Sequence, residues 1–429
     1  MIDTVAVTIL FGLFALLIIL RVPVAFGLAI SSLATLIYID KPLLLLVERY
    51  YASLEFFPLL AIPFFILCGF LMNQGSITDR FLKLAGATVG HFRGGLAQVN
   101  VVASMMFASV SGTGSSDTAA LGSVLIPAMR KEGYSAAFSA AVTACSSVMG
   151  AIIPPSVIMI VYGSLASNVS ISALFLAGIV PGVLIGLLMM LVVYFLSRKR
   201  GYPRSERRAT VKEWFAAFKR CLLPLGMPII IIGGILSGTF TPTEAAVIAV
   251  VYVIVVLFIL RDIRLKDLPR VMNEASKLAA LPLFAIASAT LYGWLIAYLR
   301  VPAVISAWLE GHNLTPVGGL FIVFVIFTIA GMFIDGVPAL IIFLPIAQEI
   351  AAVAGVDPMH LAMVIIITAV MGLITPPFGL CILLAGSIAK IPVMSVVKES
   401  LPFVAVVVIV IFSIIFFPQI ALWLPGALL

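Results

Sequence analysis

Charge is what this chain has least of. Only 10% of its 429 residues are Asp, Glu, Lys or Arg, while 63% are hydrophobic. A soluble domain carries about 25% charged residues, and no soluble core could bury this much apolar surface, so the solvent is lipid. The mean hydropathy of +1.26 agrees. A soluble enzyme, a nucleic-acid binder and a disordered scaffold are excluded. Four cysteines (Cys68, Cys145, Cys221, Cys381) lie without ligand spacing, three in apolar segments, and suggest neither a disulfide framework nor a metal site. No Gly-Lys pair occurs, so the G-x-x-x-x-G-K-[ST] loop of an ATPase is missing. His91, His312 and His360 fall near expected loops. Only Asp117, Asp335 and Glu244 qualify as candidate relay groups within the spans, all at breaks or helix starts, which fits a proton relay poorly.

The charge that is present is concentrated. The net charge is +7. The segment between Ser197 and Cys221 holds Arg198, Lys199, Arg200, Arg204, Arg207, Arg208, Lys212, Lys219 and Arg220 against Glu206 and Glu213. That is a cytoplasmic loop by the positive-inside rule rather than a nucleic-acid patch. Met1 to Leu20 is apolar without a basic start, and reads as a first span rather than a cleaved signal.

Apolar runs fall at 4–20, 24–40, 57–72, 95–127, 136–167, 171–196, 222–238, 244–260, 279–299, 315–352, 360–389 and 401–425. The run 95–127 is broken by Ser111-Gly112-Thr113-Gly114-Ser115-Ser116-Asp117, and 315–352 by Gly331-Met332-Phe333-Ile334-Asp335-Gly336. Arms of about 12–16 residues are too short for a core about 30 Å thick, so both runs are expected to be re-entrant hairpins. Two other runs contain Gly150 to Pro154-Pro155-Ser156 and Gly372 to Thr375-Pro376-Pro377-Phe378. Adjacent prolines remove donors and free earlier carbonyls, so these are expected to be broken helices.

The breaks repeat. The two Pro-Pro pairs, Val22-Pro23 with Thr241-Pro242, Ile126-Pro127 with Leu344-Pro345, and Pro58 through Gly69 with Pro282 through Gly293 recur in order at nearly one offset. The expected organisation is an all-α polytopic membrane protein of two inverted repeats, each with a re-entrant hairpin and a broken helix. Repeat one is 1–200, with scaffold spans in 4–72, hairpin and broken helix in 95–167 and a last span 171–196. A basic loop 201–221 follows. Repeat two is 222–429, with scaffold spans 222–260, a span 279–299, hairpin 315–352, broken helix 360–389 and last span 401–425. Five crossings per half invert the second copy. With 197–221 inside, 22 of 25 basic residues lie on the inner side, leaving Lys41, Arg49 and Arg300 outside, and both termini are periplasmic.

Interrupted helices present N–H groups at half-helix starts and carbonyls at half-helix ends. The former suit an anionic solute, the latter a hard cation such as Na⁺. One Na⁺ site is expected from Ser111, Gly112, Thr113, Asp117, Gly150, Ile153, Pro154 and Pro155. A second is expected from Gly331, Asp335, Gly372, Thr375, Pro376 and Pro377. Ser115, Ser116, Thr118, Gly336 and Val337 are the expected substrate contacts. Each has a plainer reading. Asp117, Asp335 and Glu244 would also serve as helix caps, and the serines as turn bonds. No arginine sits at the midplane, so anion recognition falls to half-helix N–H groups and hydroxyls.

Ser-Gly-Thr-Gly-Ser-Ser-Asp-Thr-Ala-Ala at 111–120, Ile-Pro-Pro-Ser at 153–156, Thr-Pro-Thr-Glu-Ala-Ala at 241–246 and Thr-Pro-Pro-Phe-Gly at 375–379 resemble the large membrane subunit of tripartite ATP-independent periplasmic (TRAP) transporters. The resemblance spans nearly the whole chain. It implies a bacterial inner-membrane Na⁺ symporter that imports organic acids such as sialic acid or C4-dicarboxylates. It also implies an elevator motion of hairpins and broken helices against a scaffold, with Na⁺ as coupling ion and no other cofactor. The implied partners are a small four-helix membrane subunit and a periplasmic substrate-binding protein, docking near Lys41, Arg49 and Arg300. The competing classes are a stand-alone Na⁺-dependent carboxylate carrier of related fold, a re-entrant channel and an intramembrane aspartyl protease. The last lacks the Gly-x-Gly-Asp context around both aspartates.

Overall fold

The structure is a computed structural model that describes residues 3–20, 22–74, 76–166, 168–203, 208–311, 314–377 and 379–429. Arg21, Arg204, Glu206, Arg207, His312 and Phe378 lie outside the described residues. Hydrocarbon offers peptide groups no hydrogen bonds, so a spanning chain must satisfy them within helices, and the described residues form helices and no strand. The first ten are α1 (Thr4–Ile19), α2 (Val24–Tyr38), α3 (Leu44–Leu54), α4 (Ala61–Gln74), α5 (Ile77–Val89), α6 (Gly95–Ser111), α7 (Gly114–Lys131), α8 (Ala136–Ser146), α9 (Val157–Leu165) and α10 (Ile171–Arg200). Then follow α11 (Val211–Leu236), α12 (Pro242–Ile259), α13 (Leu268–Tyr298), α14 (Val301–Glu310), α15 (Pro316–Phe333), α16 (Gly336–Ala354), α17 (Pro358–Met371), α18 (Leu380–Ala389), α19 (Val393–Phe416) and α20 (Gln419–Leu428).

The element order repeats. Helices α1 and α2 correspond to α11 and α12, the pair α3–α4 to the continuous α13, and α5 through α10 to α14 through α19; α20 has no counterpart. Among the described residues seven helices are long and apolar enough to cross a bilayer, and the α3–α4 pair, bent by 65°, makes an eighth if counted as one span. Length alone does not separate crossings from hairpin arms, because α15 and α16 pass the same test. The position of their tips does, as described below.

Three expectations are corrected. The hairpin arms α6, α7, α15 and α16 run 17, 18, 18 and 19 residues rather than 12–16. Only Gly112-Thr113 and Ile334-Asp335 remain outside helix, since Ser115, Ser116 and Asp117 enter the first turn of α7, where polar side chains are tolerated. The loop 201–221 ends early because Thr210 and Glu213 form a capping box that starts α11 at Val211. The last run divides at Phe417-Pro418 into α19 and α20. The structure also contains α3, α5 and α14, which have no uninterrupted apolar run to announce them. In α5 the signal was a helical period: Ile77, Phe81, Leu84 and Ala85 are buried while Asp79 is exposed.

Polarity is distributed inside out. Along α12, Val247, Val251, Val255 and Ile259 form an exposed stripe at four-residue spacing, as lipid contact requires. The interior holds polar groups instead. Asn100 Nδ2 donates to Thr143 Oγ1 at 2.7 Å and the Ser104 and Ser146 hydroxyls bond at 2.8 Å, so α6 is tied to α8 twice. Two packing groups result. Helices α1, α2, α4, α11, α12 and α13 pack among themselves, as do α6–α10 with α15–α19. Helix α5 touches both α6 and α11, and α14 both α16 and α13.

Substituting Thr143→Val removes the acceptor of a buried amide and is expected to cost about 1–2 kcal/mol. The check is a lower melting temperature of the detergent-solubilised protein, with Thr143→Ser close to wild type.

Candidate functional site

Both hairpin tips lie against the breaks of the broken helices. Gly112 closes α6 in the left-handed region, at φ 68°, where a side chain would be strained. Its carbonyl accepts from Val157 N at 3.3 Å, linking the first tip to the start of α9. Between α8 and α9 lie a 3₁₀ turn, Ser147–Ala151, and Pro154-Pro155. Between α17 and α18 lie Gly372–Ile374 and Pro376-Pro377, and both Pro-Pro bonds are cis. The breaks fall in mid-helix, so tips that touch them lie deep in the membrane, and the hairpins are re-entrant.

Both broken helices approach the hairpins at the matching glycines Gly150 and Gly372. A Cβ on Gly372 would stand 2.7 Å from the carbonyl oxygen of Gly331, and one on Gly150 3.1 Å from the carbonyl oxygen of Thr113. In each half a glycine of the broken helix faces a tip carbonyl with no room for a side chain. In the first half a Cβ on Gly150 would also strike Asp117 Oδ2.

Asp117 is not the helix cap. Thr113 occupies that position, without a side-chain cap bond, and Asp117 is the fourth residue of α7. Asp117 is fully buried with the Ser111 hydroxyl as its polar neighbour, and neither group completes a hydrogen bond of good geometry. A buried unpaired carboxylate costs several kcal/mol. It therefore fits a site built for a hard cation, whose charge and coordination it would satisfy.

In the second half the corresponding position opens into a cavity of about 170 Å³, lined by Gly331, Phe333, Ile334, Asp335, Gly372, Leu373 and Leu380. Here two helix C-terminal ends converge, those of α15 and of the 3₁₀ turn after α17, beside an aspartate. Each end carries roughly half a negative charge. Asp335 stands at the cap position of α16 without a side-chain cap bond, its carboxylate beside the Gly336 N–H.

A second cavity, about 120 Å³, lies on the other side of Asp335. Three half-helix N-termini line it: Gly114 and Ser115 of α7, Val157 and Ile158 of α9, and Gly336 and Val337 of α16. Each contributes roughly half a positive charge, which suits an anion, although Val157 N–H is already bonded to Gly112 O and the helix ends at Gly112 and Ala151 share the lining. Ile66 of α4 and Pro282 of α13 close it from the other packing group. Asp335 lines both cavities.

The expected residues divide accordingly. Ser115, Gly336 and Val337 share the second cavity with Gly112 and Thr113, while Gly331, Asp335 and Gly372 share the first. Ser116 and Thr118 line neither, and the Thr118 hydroxyl bonds back to Gly114 O at 2.9 Å. Thr375 bonds to Met371 O at 2.8 Å rather than facing the cavity. Ile153, Pro154, Pro155, Pro376 and Pro377 shape the breaks without lining either cavity. Glu244 is a cap, in a box with Thr241. His360 is buried in the first turn of α17, its Nε2 2.8 Å from Ile414 O, a packing contact. Sequence reasoning missed Ile66, Pro282, Val157 and Ile158, which carry no polar signal.

Asp117→Asn removes an unpaired buried charge, so it is expected to raise the melting temperature in Na⁺-free buffer. It should also reduce the stabilisation that added Na⁺ gives wild type. Gly372→Ala is expected to lower stability in both buffers, since its Cβ meets backbone. Thermal melts with and without NaCl, against choline chloride, check both.

The sequence signature described as "Tripartite ATP-independent periplasmic transporter, DctM component" matches residues 11–420. The C4-dicarboxylate TRAP transporter large permease protein DctM of Pseudomonas aeruginosa is 37% identical over 397 residues, 92% of each chain. The sialic acid TRAP transporter large permease protein SiaM of Vibrio cholerae is 34% identical over 94% of each. Among solved structures, MtrF of Neisseria gonorrhoeae, from a class of antimetabolite efflux pumps, superposes with a TM-score of 0.61 at 15% identity, covering 86% of this chain and 82% of its own. That likeness concerns the fold alone. This chain, a multi-pass helical membrane protein, belongs to the DctM component family of tripartite ATP-independent periplasmic transporters.

Proposed function

We propose that this chain is the permease of a sodium-coupled importer of small organic acid anions, moving its cargo by an elevator motion in the bacterial inner membrane. The observation that carries this reading is the pairing of the two cavities. Three helix N-termini border one and the C-terminal ends of α15 and the turn after α17 border the other, each beside a helix end of the opposite sign, and Asp335 belongs to both. A cation at the C-terminal cavity would neutralise Asp335, which otherwise repels an anion about to occupy the N-terminal one. Na⁺ binding then favours anion binding, and by linkage the reverse holds equally. The charge-poor midplane favours Na⁺ over protons for this role.

The packing supports an elevator motion. The anion cavity sits on the seam between the two groups of helices, with hairpin tips and breaks on one side and only Ile66 and Pro282 on the other. Sliding the first group past an apolar wall would carry the site across without unpairing its polar groups. The 1–200 and 222–429 repeats supply half of each group. Relatives named for C4-dicarboxylates and sialic acid make a carboxylate the expected cargo. The tripartite family name supports two partners, a small membrane subunit and a periplasmic binding protein that delivers the acid. None of this chemistry is catalytic, so no enzyme activity is proposed.

Proteoliposomes holding this chain, its small partner and the binding protein test the reading. Uptake of succinate or N-acetylneuraminate is expected to require an inward Na⁺ gradient and to lose Na⁺ activation in Asp335→Asn. Uptake that persists at full rate without the gradient contradicts it.

A further inference from the structure

One face of α13 connects the anion cavity to the outer side of the membrane. Its residues 282, 286, 290, 294 and 298 recur every fourth position and so lie in one row. Pro282 closes the anion cavity. One and two turns on, Ile286 and Thr290 line a separate cavity of about 200 Å³, whose opposite wall carries Val161 and Ser164 of α9. Those residues in turn follow Val157 and Ile158 of the anion cavity by one to two turns. The two cavities are therefore successive compartments of one seam between α9 and α13, with centres about 10 Å apart at 1.5 Å per residue.

The outer compartment has a cation. Arg49 of α3 lines it and lies over the ring of Trp294, 5.1 Å from the centroid. The half-buried guanidinium makes no ion pair or hydrogen bond among the described residues, so its N–H donors have no acceptor. Ser53, Ser164 and Thr290 add hydroxyls to the same walls, each now bonded to its own helix. One turn further out Lys41 lies over Tyr298, 5.2 Å from its centroid, with Trp294 and Tyr298 stacked. The space exceeds the roughly 30 Å³ of one water several-fold.

We propose that Arg49, Thr290 and Ser164 form an outer anion-binding station, which holds a carboxylate of the incoming acid before it reaches the midplane cavity. This rests on the organic-anion reading above. Aromatic rings hold the guanidinium in place without neutralising it, which leaves its planar fork for a carboxylate. The station is Na⁺-independent, because it lies apart from Asp117 and Asp335.

The test is direct binding to the purified full chain in nanodiscs, read by Trp294 emission. Succinate is expected to change that emission saturably with or without Na⁺, while uncharged succinamide does not. Trp294→Phe should abolish the signal and so identify the reporter. Arg49→Gln should weaken the apparent affinity about tenfold or more, the scale of one charged hydrogen bond, with Arg49→Lys retaining most of it and Thr290→Val losing part. Absence of a saturable change in wild type, or an affinity unmoved in Arg49→Gln, overturns the proposal. Sodium-driven uptake is scored separately. If uptake fails while the titration succeeds, the transport reading falls; if the titration fails while uptake succeeds, this inference falls.

Discussion

An unpaired peptide group in hydrocarbon costs several kcal/mol, so a chain that interrupts its helices at mid-membrane must enclose every interruption in protein. Four interruptions occur here, two hairpin tips and two proline breaks, and each tip is packed on a break. The enclosure is tight enough that Gly150 and Gly372 have no space for a methyl group. Much of the remaining architecture serves that requirement. The polar bonds between α6 and α8 hold one tip to its break, and the outer helices present Val and Ile to lipid.

Enclosure also gathers helix dipoles. Ending helices in the interior leaves exposed dipole ends, and they collect around two cavities: the N-termini of α7, α9 and α16 with the ends at Gly112 and Ala151 around one, and the C-terminal ends of α15 and the turn after α17 with the start of α18 around the other. The carboxylates complete the pattern. Asp335 borders both cavities, while Asp117 is sealed against Gly150 with neither oxygen in a hydrogen bond of good geometry. The two halves thus use one plan with different openness. The proposed sodium coupling calls on no charged residue beyond these two.

Much of this was legible in the sequence because it is written in rare residues. Adjacent prolines, glycine-serine runs and two acids inside apolar segments have few explanations in a membrane, and their recurrence at one offset exposed the repeat. The basic residues give an expected orientation in the same way. Other features had no such mark. Helices α3, α5 and α14 were invisible to a search for long apolar runs. The hairpin arms proved longer because Ser115, Ser116 and Asp117 are helical rather than part of the turn. The cavity walls at Ile66, Val157, Ile158 and Pro282 are ordinary apolar residues whose role comes only from tertiary packing. Conversely, Thr118 and Thr375 looked like ligands but bond to their own helices.

The central claim is that the buried carboxylate of Asp117, held between a hairpin tip and a broken helix, belongs to a sodium site. Equilibrium binding of radiolabelled sodium to the purified chain tests it most directly. Saturable binding in wild type that falls in Asp117→Asn, and falls again when Asp335→Asn is added, is the predicted result. Binding that is absent in wild type, or unchanged in the Asp117→Asn protein, would contradict it.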